Sequence, residues 1–287
     1  METVEYNTLL FSGGGINGLV YLGIFKKIKE LEKDTCKNIS INVKRVCGVS
    51  IGSVFSLFYI LGFTYEEMLA IVLLLDFKKL RKITFSNIIY KYGLDDCTLI
   101  MKWLQEATTK KIDKSITLKE LYTKTGIDYQ VICTSLKERK IVTFGHKEYP
   151  DMPVLQAIRM AISIPFLFTV DPYKSDIYVD AALLDNYPCD LFKENKDGVL
   201  GFNITSDLTT ESIKINTFID FIYSVLLCIS ERITIKNVTK VYNIDTVNIV
   251  INSEISSFVS FSIPNEKKLQ LINAGYNAFC DWLRGIE

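Results

Sequence analysis

Gly48-Val49-Ser50-Ile51-Gly52 places a hydroxyl between two glycines, and its surroundings suit nucleophilic chemistry. Val43, Val46 and Cys47 lead in as a strand, with Lys44 and Arg45 between them. The run from Ser53 to Phe63 has no charge and no proline, and reads as a buried helix. Strand, G-x-S-x-G, helix is the setting of a nucleophile elbow. The two glycines let the backbone turn without a Cβ clash. The serine then stands at the top of a sheet, where the positive end of the helix favours negative charge. The same residues also fit a plain strand-to-helix turn with a serine N-cap.

A serine hydroxyl needs a base, usually a histidine oriented by an acid. The chain has 1 histidine, His146, in Phe144-Gly145-His146-Lys147-Glu148. α/β-Hydrolases place that histidine late, after the acid. His146 comes near the middle and reads as a surface loop residue. A carboxylate can serve instead when a dry site raises its pKa. Asp180 follows Ile177-Tyr178-Val179, a short strand, and precedes two small residues, Ala181 and Ala182. The end of a strand is where open α/β sheets place their sites. A strand-end Asx turn accounts for the same spacing.

A second glycine cluster lies upstream. Leu9-Leu10-Phe11 is a short apolar strand, followed by Ser12, Gly13-Gly14-Gly15 and Ile16-Asn17-Gly18. Apolar positions then recur at helical spacing from Leu19 to Leu31. Free N–H groups in such a strand-to-helix loop bind anions or developing oxyanions. Gly13, Gly15 and Gly18 also fit G-x-G-x-x-G. A dinucleotide site would require an acid at the end of a second strand about 20 residues on. The strand there runs instead into Cys47-Gly48, which argues against that site. A glycine turn that lets helix pack on sheet remains the structural alternative.

The rest of the chain supplies the elements that must hold these groups. Tyr65–Leu75, Thr98–Thr108 and Thr117–Tyr122 read as helices, the last two with hydroxyl N-caps. Tyr129–Thr134 and Lys140–Phe144 read as strands joined by Lys137-Glu138-Arg139. Pro153–Ser163 reads as a helix with proline in its first turn, broken by Ile164-Pro165-Phe166. Gly198–Ile204 and Thr246–Ile251 are sheet-like, Phe218–Ile229 is an apolar helix, and Pro264–Leu283 an amphipathic one. This alternation calls for an α/β fold, a three-layer sandwich with a mostly parallel central sheet flanked by helices. No repeat or linker divides the 287 residues, so one domain is expected.

Composition narrows the class further. Basic and acidic residues balance at 33 each, which argues against a nucleic-acid partner. The 7 cysteines are odd in number and form no close C-x-x-C pair, so they read as mostly buried thiols of a reducing compartment. Acidic Glu2 and Glu5, with no basic segment before an apolar run, do not make a secretory signal. An intracellular location, cytoplasmic or peripheral to membranes, is therefore expected. Val46 to Tyr65 is uncharged and about as long as a membrane span, but its glycines and hydroxyls favour a core strand and helix. Asp76 to Asp96 mixes Lys78, Lys79, Arg81 and Lys82 with Phe77, Phe85, Ile88, Ile89 and Tyr90. It reads either as a solvated face or as a contact with an anionic membrane surface.

Taken together, these residues resemble the patatin-like phospholipase family from about Leu9 to Ile204. The glycine cluster Gly13–Gly18 is similar to the family's oxyanion box, and Gly48–Ser53 to its nucleophile elbow. Ala157-Ile158-Arg159-Met160-Ala161-Ile162-Ser163-Ile164-Pro165-Phe166 is similar to its helix-and-proline segment. Asp180-Ala181-Ala182-Leu183-Leu184-Asp185-Asn186-Tyr187-Pro188 resembles its aspartate motif with the following Asn-x-Pro. The resemblance implies a serine–aspartate dyad that hydrolyses fatty-acyl esters of lipids, with no metal or cofactor. It makes Ser50 the nucleophile, Asp180 the general base and Gly13, Gly14 and Gly15 the oxyanion donors. Gly18, Gly48, Gly52, Ala181 and Ala182 become supporting motif residues. The expected partner is a lipid or phospholipid, with peripheral membrane contact and the oligomeric state open. Two departures stand out: Asn17 replaces a usually basic residue and Ala181 a usual glycine. They motivate a rival reading, a non-catalytic lipid-binding or scaffold protein that keeps the fold.

Overall fold

The computed structural model describes residues 4–33, 39–194, 196–206, 215–218, 220–222, 224–226, 228, 244–251 and 263–285. Five strands run parallel in the order β10 (Asp245–Ile251), β9 (Val199–Ser206), β1 (Val4–Phe11), β2 (Ile39–Val49) and β4 (Asp128–Ser135). β5 (Lys140–Phe144) and β8 (Asp176–Asp180) join β4 antiparallel, and β7 (Pro172–Tyr173) closes that side. A separate pair is formed by β3 (Gly93–Asp95) and β6 (Phe166–Phe168).

The sheet is buried on both sides, and alternation along its strands assigns each residue to a face. Leu9, Phe11, Val46, Leu200 and Phe202 face the larger core. That core is covered by α1 (Val20–Lys33), α2 (Ile51–Ile60), α7 (Val154–Ala161) and the long C-terminal helix α9 (Asn265–Arg284). Leu10, Cys47, Val49 and Ile132 face the other way, onto Ala181, Cys189 and Phe192 from two short 3₁₀ helices, Ala181–Leu183 and Cys189–Phe192, and onto Tyr187 from the loop between them. The expected three-layer α/β arrangement is thus present. Cys47, Cys97, Cys133 and Cys189 are buried, and burial pushes the Cys47 and Cys97 thiols up to about 12.

Most expected elements are present, with local differences. The helix expected at Tyr65–Leu75 is α3 (Tyr65–Leu74), with Thr64 and Glu67 forming a capping box. Thr117 caps α6 (Leu118–Thr125) in the same way. Thr98 does not cap α5 (Thr98–Thr108); the N-cap is Cys97 at φ 58°, and the Asp96 carboxylate accepts from the Thr98 N–H. Pro153 is the N-cap of α7 and stands just outside the helix. The Asp76–Asp96 stretch breaks into a 3₁₀ turn (Phe77–Leu80), short α4 (Asn87–Lys91) and β3. The described positions of 218–228 are helical (α8), while Ile229 lies outside the described residues. No helix among the described residues is long and apolar enough to cross a membrane.

Candidate active site

The register of β4 explains how residues 130 apart in sequence meet. β2 occupies one edge of β4 from Asp128 to Ile132, ending with Val49 opposite Ile132. β5 takes the opposite edge over Val131 to Ser135. β8, pairing Asp180 with Cys133 and Tyr178 with Ser135, must therefore continue the β2 edge. It runs the other way, so the C-terminal ends of β2 and β8 meet head-on. Ser50 leaves the end of one strand and Asp180 is the last residue of the other. The sequence expectation put Asp180 at a strand end; the strand proves antiparallel, and its C-terminus reaches the site from the far side.

Each residue is held by its own backbone contacts. Ser50 sits at φ 51°, ψ −127°, a conformation L side chains rarely adopt. The turn is fixed by Ser53, whose N–H and Oγ both donate to the Ser50 carbonyl at 2.9 and 2.6 Å. Tyr129 Oη in turn donates to the Ser53 carbonyl at 2.7 Å. The elbow glycines are required by close approach: a Cβ on Gly48 would stand 2.5 Å from Ser53 backbone, and one on Gly52 2.6 Å from the Phe11 and Ser12 carbonyls. Neither has positive φ, so space is what selects them. Gly18 is pressed against Ile51 in the same way.

Asp180 is 2% exposed. Its N–H donates to the Ser163 carbonyl at 3.0 Å, and its Oδ1 accepts from the Ala182 N–H at 2.9 Å. Burial raises its pKa from 3.8 to about 6, and hydrogen bonding from the Ser50 hydroxyl is the first effect opposing that rise. The contact with Ser50 is looser than an ordinary hydrogen bond, because Asp180 Oδ2 is buried and has no partner at normal hydrogen-bond geometry. Ala181 is fully buried and has no positive φ, so the usual glycine is not demanded there.

The glycine loop lies against the same point. A Cβ on Gly13 would come within 3.2 Å of Ser50 Cβ. Ser12 anchors the loop to β9, accepting from the Ile204 N–H at 2.9 Å and donating its own N–H to the Phe202 carbonyl at 3.1 Å. Asn186 brackets Gly13: its side-chain amide donates to the Gly13 carbonyl at 3.1 Å, and its own carbonyl accepts from the Gly13 N–H at 3.3 Å. Of the three amides expected to face an oxyanion, that of Gly13 is therefore directed at Asn186. Those of Gly14 and Gly15 have no acceptor among the described residues. Asn17 is buried in the turn that follows, its N–H bonded to the Gly14 carbonyl at 3.0 Å.

Gly15 and Ser50 open onto a cavity of about 170 Å³. Its wall is apolar: Val54 and Phe55 from α2, Leu75, Phe77 and Leu80 beyond α3, and Trp103 and Leu104 from α5. Arg81 is the charged residue on this wall, and its Nε is 3.0 Å from Asp95 Oδ2 in a buried ion pair. No single motif marks these lining residues as a group; they come from separate helices and turns. His146 is elsewhere. Its Nδ1 is 2.9 Å from Asp128 Oδ1, its ring stacks on Tyr122 at 3.8 Å, and it is half-buried, less exposed than expected. The Ser50 hydroxyl and Gly15 thus open onto an apolar cavity, with the buried Asp180 carboxylate beside that hydroxyl.

The sequence is 27% identical over 281 residues to "Uncharacterized protein R571" of Acanthamoeba polyphaga mimivirus, covering 94% of this chain and 91% of that one. It is 29% identical over 193 residues to "Probable lipid hydrolase 463L" of Invertebrate iridescent virus 6, covering 65% of this chain and 63% of that one. The fold is similar to VipD from Legionella pneumophila, with TM-score 0.65 at 15% identity over 98% of this chain and 67% of that one. It is also similar to ExoU of Pseudomonas aeruginosa, with TM-score 0.54 at 14% identity over 99% of this chain and 54% of that one. The family model described as patatin-like phospholipase matches residues 9–193, well over half of the sequence, and the chain belongs to that family.

Proposed function

We propose that this chain is a lipid acyl hydrolase of phospholipase A type, using a Ser50–Asp180 dyad within a single catalytic domain. The observation that carries the proposal is the head-on meeting of β2 and β8, which brings the Ser50 hydroxyl to a buried carboxylate of pKa about 6. Asp180 takes the proton as Ser50 Oγ attacks the acyl carbonyl carbon. Negative charge forms on the carbonyl oxygen and is held by the Gly14 and Gly15 amides, joined by that of Gly13 when its long bond to Asn186 yields. Each donor contributes roughly 3 kcal/mol of barrier lowering. The C–O bond breaks, Asp180 returns the proton to the leaving alcohol, and Ser50 is left acylated. Water then gives a proton to Asp180 and attacks the ester; the fatty acid leaves and Ser50 recovers its proton. The acyl chain occupies the apolar cavity beside Ser50. The relative named as a lipid hydrolase supports the same reading.

The rival, a lipid-binding or scaffold protein without turnover, rests on Asn17, which is buried with its Oδ1 unpartnered and supplies no positive charge to the loop. A fluorophosphonate probe separates the two. Labelling at Ser50 is expected for the hydrolase; a folded protein that stays unlabelled supports the scaffold. The direct test is product analysis on mixed phospholipid vesicles. Ser50→Ala is expected to lose about 10³-fold or more of the fatty-acid release. A Ser50→Ala protein as fast as the parent would overturn the mechanism.

A further inference from the structure

We infer that the outer side of the cavity wall, residues 74–92 with Phe166, is a docking face for an anionic phospholipid bilayer. The inference rests on the hydrolase reading only for its purpose; the face itself is argued from exposure and charge. One segment has two sides. Leu75, Phe77 and Leu80 line the cavity that opens at Ser50. On either side of them along the chain, Leu74 is 87% exposed, Phe85 68%, Ile89 71% and Tyr90 79%. The patch continues through strand pairing. Gly93 is opposite Phe166, which brings exposed Tyr92 and exposed Phe166 together. Leu167 and Phe168, also on the cavity wall, pack on Ile222 of α8, whose Phe218 and Phe221 are exposed. So many large exposed apolar side chains on and beside a segment that also walls the cavity exceed the scattered exposure normal for a protein surface.

Charge selects the occupant. Lys78, Lys79, Lys82 and Lys91 are exposed on the same segment and make no ion pair among the described residues. The acids beside them are Asp76 and the half-buried Asp96, toward which Lys82 and Lys91 exert a pull. Amines interleaved with tyrosine and aliphatic side chains match the headgroup boundary of an anionic bilayer. A second copy of the chain would set lysines against lysines across a twofold axis, which disfavours it. The wall is also held as a firm plate. Lys268 Nζ donates to the carbonyls of Val72 and Leu75 at 2.9 and 2.7 Å, and Arg81 is pinned to Asp95. A lipid leaving the bilayer at this face has its acyl chain one layer of side chains from the cavity.

The test uses the full chain carrying Ser50→Ala, so that vesicles are not consumed. Cosedimentation is measured with vesicles of phosphatidylcholine alone, and with phosphatidylcholine and phosphatidylglycerol in equal parts. Binding is expected to the mixed vesicles, to fall steeply with salt, and to drop at least about tenfold with Phe85→Ser/Ile89→Ser/Tyr90→Ser or with Lys78→Gln/Lys79→Gln/Lys82→Gln. Should a triple variant fail to fold, hydrogen exchange on the Ser50→Ala chain decides: amides over 77–92 are expected to gain protection when vesicles are added. No binding, undiminished binding by folded variants, or binding without that protection would overturn the inference. So would a concentration-dependent dimer that the apolar triple variant abolishes. Intact vesicle binding beside Ser50-independent ester hydrolysis would instead sink the hydrolase reading and leave the docking face standing.

Discussion

Ser50 and Asp180 are both held in states that a free chain would avoid, and each gives a measurable consequence. Burying the Asp180 carboxylate favours its protonated form, so its pKa in the fold, about 6, lies above the 3.8 it has unfolded. A base must be deprotonated to accept the Ser50 proton. Ester hydrolysis is therefore expected to rise with pH through about 6 and level off above it, read from a kcat/KM profile on a soluble acyl ester. The stability sign is opposite. Protonated Asp180 contributes fully below pH 3.8, and that contribution is lost as pH rises through about 6. The difference corresponds to about 3 kcal/mol at neutral pH. Asp180→Asn, neutral at every pH, is expected to melt higher than the parent at pH 7.5, with the gap closing toward pH 4, while losing about 10³-fold or more in rate. A variant no more stable at neutral pH would show that the carboxylate is better solvated than its burial indicates. At this scale the sequence was informative, because short motifs single out Ser50 and Asp180, which the fold brings together. It was silent on Asn186 as the clamp of Gly13, since a hydrogen bond spanning 173 residues leaves no local pattern.

Elements long enough to show a period were legible, and those made by tertiary contact were not. α1 and α9 repeat apolar residues over several turns, and the α6 cap has its Thr117–Glu120 pair three residues apart. β3 and β6 have three residues each and exist because Gly93 and Phe166 meet, so no window of sequence contains them. The positive φ of Cys97 likewise follows from its place between β3 and α5. The end of α3 belongs with these. Its last carbonyls are capped by Lys268, nearly 200 residues away and buried on α9, rather than by a local glycine. Burial pulls the Lys268 pKa down, while Asp76 pulls it up. Lys268→Met keeps the length of the side chain but leaves the Val72 and Leu75 carbonyls without this donor. It is expected to cost about 2 kcal/mol in urea denaturation. The KM for long acyl esters should rise more than kcat falls, since the displaced segment walls the cavity and does not touch Ser50. Equal loss in both parameters would place the effect at the reacting groups instead.

Across the whole molecule the mixed sheet separates two polar centres that sequence order alone leaves undivided. One gathers where β2 and β8 meet. The other lies toward the start of β4, where Asp128 accepts from His146, from Arg45 Nε at 2.9 Å and from Gln130 Nε2 at 3.0 Å. Arg45 precedes Ser50 by five residues of extended chain, roughly 16 Å at strand spacing. His146 thus binds the loop after β5 to β4 and, through its stacking on Tyr122, to α6. A serine esterase with a histidine base would need that ring at the other centre. His146→Ala is accordingly expected to leave the hydrolysis of a soluble acyl ester within about twofold of the parent. It should lower the unfolding free energy by about 1–2 kcal/mol through loss of the Asp128 contact and the stacked ring. A folded His146→Ala protein without turnover would reverse the assignment of the base.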